Sequence, residues 1–97
     1  MHRTTLERRL SAAHDQLVRA RAELAILDEQ VVVMTEAAED ARLRSLVSET
    51  PLAAREYSEA RRHADVAVKA RQSVVDSLAD LQRRQDELLM NVGNGSR

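Results

Sequence analysis

The side chains of this sequence that could do chemistry are its histidines, carboxylates and hydroxyls, and their spacing decides what they can reach. His2, His14 and His63 lie far apart and form no H-x-x-x-H or E-x-x-H pair, the spacing that sets two metal ligands on one helix face. Neighbouring acids such as Glu39-Asp40 and Asp86-Glu87 diverge by about 100° around a helix rather than converging on one ligand or one proton. With no cysteine there is no thiol nucleophile, disulfide or cysteine–zinc site. No glycine-rich phosphate loop, P-loop or nucleophile motif occurs. Asn94-Gly95-Ser96 has the form of a glycosylation sequon, but no signal peptide precedes it. The expectation is a protein that is not an enzyme, with no catalytic residue, no cofactor and no metal.

Chemistry being sparse, the informative pattern is the one that positions side chains. The chain has 97 residues, room for one domain (1–97) and no second core. Aromatic residues make up 1% of it, Tyr57 being the sole one, and it contains two glycines and one proline, too few turn residues for a β or α/β domain. Charged residues reach 32%, as in long solvent-bathed helices. The net charge of −1 argues against nucleic acid as a partner. The N-terminal stretch lacks a signal-type apolar run, and nowhere do about 18 apolar residues follow one another. A cytoplasmic protein without membrane contact is expected. Lys69 is the sole lysine among many arginines, a bias of GC-rich bacterial genomes.

Two elements account for the rest. Thr4-Thr5-Leu6-Glu7 fits a capping box at the start of a helix over about 4–48. From Leu6 the small or apolar residues recur at steps of four and three: Leu6, Leu10, Ala13, Leu17, Ala20, Leu24, Leu27, Val31, Met34, Ala38, Ala41, Ser45. This is a coiled-coil heptad. Pro51 should stop that helix, and Thr50 with Pro51 makes a hydroxyl cap followed by proline at the first position of the next. Extending the first register past Pro51 puts Arg55, Glu59, Arg62 and Lys69 on the seam, which excludes one straight helix. A second helix over about 51–92 carries its own register: Ala53, Tyr57, Ala60, Ala64, Ala67, Arg71, Val74, Leu78, Leu81, Gln85, Leu88, Val92.

The two seams match when folded back. Leu10 and Leu88, Leu17 and Leu81, Leu24 and Val74, Val31 and Ala67, and Ala38 and Ala60 are all equidistant from Glu49. The predicted fold is therefore all-α: an antiparallel two-helix coiled-coil hairpin with its turn at about 48–51 and a flexible tail at 93–97. Its length would be about 60–65 Å. Alanine dominates the seam near the turn and leucine dominates it towards the chain ends. Arg71, opposite Leu27, should lay its methylenes on the seam and send its guanidinium to Asp28. Gln85 opposes Ala13, and Arg44 should reach Glu56 across the hairpin.

Not every apolar residue is used by the seam. Val18, Ala25 and Val32 on the first helix and Val68, Val75 and Leu89 on the second flank one side of it, and Ile26 and Val33 lie on the back. Leu24 to Met34 is thus apolar nearly all round, which predicts burial on more than one side. Because a two-helix hairpin has little core of its own, pairing into a four-helix bundle as a homodimer is expected, with the flank also serving another protein. The functional expectation is a protein–protein interaction module: an adaptor, regulator or small structural subunit. The alternative is a transcription regulator that presents its turn, through Leu46, Val47, Glu49 and Leu52, to RNA polymerase or a sigma factor.

The segment Ser48-Glu49 followed by Glu56-Tyr57 loosely resembles the hairpin tip of Gre-type transcript-cleavage factors, which enters the polymerase secondary channel. Glu49, however, stands where those factors carry closely spaced acids. Length and hairpin shape are similar to those of WXG-type secreted proteins, but the turn tryptophan and glycine are missing. Tyr57-Ser58-Glu59-Ala60-Arg61 ends in arginine where their secretion motif has an acid. No family is assigned on either likeness.

Overall fold

The computed structural model describes residues 3–95 and contains two long α-helices that pack against each other, α1 (Arg3–Ser48, 46 residues) and α2 (Pro51–Gly95, 45 residues). By proximity the described chain forms two units, one of residues 3–24 with 74–95 and one of residues 25–73. The boundaries are themselves a register: Leu24 and Val74, like Ala25 and Ser73, stand equidistant from Glu49, as antiparallel pairing about that residue requires.

In residues 25–73 the chain reversal is built from three neighbouring residues. The amide of Glu49 donates to the Ser45 carbonyl oxygen at 3.1 Å while Glu49 itself takes φ 48°, so α1 ends in an αL cap. Thr50 caps α2, its Oγ1 accepting from the Ala53 amide at 3.1 Å and its carbonyl oxygen from the Ala54 amide at 3.1 Å. Pro51 opens α2, where its missing N–H costs nothing and its fixed φ is already helical. Ser45, one turn before the end of α1, donates through Oγ to the Arg42 carbonyl oxygen at 2.7 Å.

The seam of this unit is alanine, with Ala41, Ala53, Ala64 and Ala67 buried and Val31, Met34, Tyr57 and Ala60 half-buried. In the other unit Leu6, Ala13, Leu17 and Val74 are buried, and Leu17, at 1% exposure, is the most enclosed large side chain. All the α1 heptad positions from Leu6 to Ser45 are buried or half-buried, and so are those of α2 from Ala53 to Leu88. Val92 is exposed.

The helix ends differ from expectation in two places. Thr4 lies inside α1 rather than capping it, and Glu7 accepts from Arg3 Nε at 3.1 Å instead of closing a capping box. At the other end α2 runs past Val92 through Gly93 and Asn94 to Gly95, so this part of the expected flexible tail is helical. Glycine costs a helix about 1 kcal/mol of propensity but, unlike proline, does not block it sterically. A Cβ added at Gly93 would meet nothing within 4 Å. His2 and the last two tail residues, Ser96 and Arg97, lie outside the described residues.

The αL turn residue yields a stability prediction. An L side chain in this conformation costs about 1 kcal/mol that glycine does not. Glu49→Gly should therefore raise unfolding stability by about 1 kcal/mol, whereas Thr50→Ala should lower it by about 1 kcal/mol through loss of the cap. Urea denaturation at one fixed protein concentration measures both, and a destabilised Glu49→Gly would contradict the assignment.

Candidate functional site

Chemistry-bearing side chains do not gather in this fold. Among the described residues no group of three histidine, aspartate or glutamate side chains could hold a metal ion, and no helix is long and apolar enough to cross a membrane. What the helices do position is apolar surface. In residues 25–73, α1 buries its seam edge and leaves its outer face open: Ile26, Val32 and Val33 are 57%, 55% and 60% exposed. The expected burial of Leu24–Met34 on more than one side is thus not met within the chain. α2 supplies only one partner face, and the outer valines point away from it.

The candidate flank residues are distributed between the units. Ala25, Val32 and Val68 are exposed on the unit of residues 25–73. Val18 and Leu89 are exposed, and Val75 half-buried, on the other. A shallow surface groove of about 470 Å³ is lined by Asp28, Glu29, Val32 and Val33. Leu46, Val47, Glu49 and Leu52 are all exposed at the turn, Val47 the most so of the three apolar ones at 86%, and Leu43 is a further exposed apolar residue beside them. Leu43 was not among the expected turn contacts. Its position seven residues after Glu36 and three before Leu46, on the outer face of α1, was the signal that could have included it.

The charges divide into those tied within the hairpin and those left outside. Arg71 occupies the α2 seam half-buried and donates through Nε to Asp28 Oδ1 on α1, as its seam position predicts. Arg42 grips Glu39 with both arms of its guanidinium, Nε to Oε2 at 2.9 Å and Nη2 to Oε1 at 2.6 Å. This hydrogen bonding, with the attraction of the two charges, holds the Glu39 carboxyl below its ordinary range and the Arg42 guanidinium above its own. Arg44 and Glu56, by contrast, form no ion pair: both are exposed, and Arg42 takes its carboxylate from its own helix. At the chain ends Arg3 pairs with Glu7 and Arg83 with Asp80, each within one helix. Gln85 is half-buried at its seam position.

Comparison with protein-family models, with curated proteins and with solved structures finds no match.

Two predictions follow from the charge arrangement. The Arg71–Asp28 pair is partly solvated and so contributes less than about 1 kcal/mol, while a leucine at position 71 would bury apolar area worth somewhat more. Arg71→Leu should therefore match or exceed the natural protein in urea stability, and Asp28→Asn should cost less than about 1 kcal/mol. Because pairing lowers the carboxyl pKa of Glu39 in the folded state, its contribution is present above the ordinary glutamate pKa and lost as pH falls through the lowered value. A carboxyl-detected NMR titration should find Glu39 titrating below the ordinary glutamate range, and Arg42→Gln should bring it back up.

Proposed function

We propose that this protein is a non-enzymatic protein–protein interaction module, an adaptor, regulator or small structural subunit, that works through the outer surface of its helices. The observation that carries this reading is the apolar outer face of α1. Ile26, Val32 and Val33 stand open to solvent in a helix whose seam is already satisfied, with Val68 exposed on α2 of the same unit. Valine and isoleucine at heptad spacing on a second face are a cost to a solitary hairpin and an asset to a bundle. The alanine seam of residues 25–73 buries little area per residue, so added burial from a partner helix matters to this unit.

Homodimerisation into a four-helix bundle is the simplest arrangement that covers this surface, since one face then serves both copies. The flank residues Val18, Ala25, Val32, Val68, Val75 and Leu89 are the candidates for contact with the second copy or with another protein. Neither a nucleic acid nor a membrane is proposed as partner: the charge is near neutral, and among the described residues no helix is long and apolar enough to cross a bilayer.

A second reading is favoured by the exposure of Leu46, Val47 and Leu52 beside Glu49. Here the turn is the working end, presented to a partner such as RNA polymerase or a sigma factor. The readings separate by substitution. Val32→Glu with Val68→Glu should convert a dimer to a helical monomer in light scattering while leaving the circular dichroism signature in place. Leu46→Ser with Val47→Ser should leave the oligomer unchanged. Loss of a captured partner only in the turn variant would overturn the first reading.

A further inference from the structure

Charge decides which copy fits the outer face of α1. Between Arg21 and Arg42 this helix carries Glu23, Asp28, Glu29, Glu36, Glu39 and Asp40 and no basic residue at all. Within residues 25–73, Asp28 is taken by Arg71 and Glu39 by Arg42, whereas Glu29 and Glu36 are exposed and in no ion pair. These two lie one heptad apart and bracket Val32, and Glu29 also lines the shallow groove. On the outer face of α2, Arg62 and Lys69 likewise lie one heptad apart, are exposed and in no ion pair, and bracket Val66 and Val68. Arg61, Arg62 and Lys69 outnumber the one acid between them, Asp65.

The spacing from the turn makes these patterns complementary. Glu29 and Lys69 are equidistant from Glu49, and so are Glu36 and Arg62. In a two-fold pair whose axis runs along the hairpin, residues of one copy meet residues of the other at equal distance from their turns. α1 of each copy then lies antiparallel on α2 of the other. Val32 faces Val68 of the second copy, and Glu29 and Glu36 meet its Lys69 and Arg62 at the edge of that contact. The competing arrangement, α1 against α1, would set Glu29 and Glu36 of both copies together and is disfavoured by like charge.

We infer that the occupant of this face is a second copy of the chain, docked α1 on α2 with Glu29 and Glu36 paired to its Lys69 and Arg62. This rests on the self-association reading above and specifies its geometry. The arrangement has a property that unspecific apolar association lacks, because both contacts of the dimer use the same charge pattern in opposite senses.

The test uses two full-length variants, Glu29→Lys with Glu36→Lys, and Arg62→Glu with Lys69→Glu, compared by sedimentation equilibrium. Each by itself places like charges at both contacts and should dimerise at least about tenfold more weakly than the natural chain. Mixed in equal amounts they restore opposite charges at both contacts and should form a heterodimer of near-natural affinity. One chain carrying all four changes should likewise dimerise again. Circular dichroism checks that each variant remains helical, and the rescue in the mixture holds only for folded chains. Dimers of natural strength from both single-sign variants, or no rescue on mixing, would overturn this pairing. If Val32→Glu with Val68→Glu still broke such dimers, self-association would stand and only the charge register would fall. A natural chain that stays monomeric at tens of micromolar would overturn both.

Discussion

Everything in this molecule depends on the chain reversal at Glu49-Thr50-Pro51. A two-residue connection leaves no slack, so the position of the turn sets which α1 residue can lie beside which α2 residue. The αL cap satisfies a carbonyl of the outgoing helix, the Thr50 hydroxyl satisfies an amide of the incoming one, and Pro51 begins α2 where its ring is harmless. Glu49 bears the strain of this arrangement. A non-glycine residue at φ 48° persists because the helices on either side leave it no other conformation.

With register set there, the two helices divide the work unequally. α2 turns its seam of Ala53, Ala64 and Ala67 inward and leaves Val66 and Val68 exposed among charged residues on the outside. α1 carries apolar residues on its seam and again on its outer face, and the hairpin covers only the first set. Alanine lets helices approach closely but removes few methylene groups from water, each worth about 0.8 kcal/mol. The unit of residues 25–73 therefore draws modest stability from its own seam and keeps its larger aliphatic side chains where a second molecule could use them.

Its charges follow the same division. Arg71 with Asp28 and Arg42 with Glu39 are settled within residues 25–73, one across the seam and one along α1. Glu29, Glu36, Arg62 and Lys69 remain outside, acids on one helix and bases on the other. Exposed pairs of this kind contribute little to the stability of one chain, but they discriminate strongly between ways of docking two.

The sequence by itself determined the helical class, the two registers and the place of the turn, because heptad spacing and the stereochemistry of Thr50-Pro51 are local properties. It also placed Arg71 on Asp28, since register and side-chain length together left that carboxylate in reach. It did not determine the helix ends: Thr4 lies within α1 and Gly93 within α2, where weak propensities, not steric rules, set the boundary. Nor could it say how Arg42 and Arg44 would choose among nearby acids, a choice made by rotamers in three dimensions. Which valines stay open was decided by the tertiary structure. Heptad register set Val31 on the seam and Val32 beside it, but the apolar run predicted burial on both sides, and only the placement of α2 against one side showed that Val32 stays open within the chain.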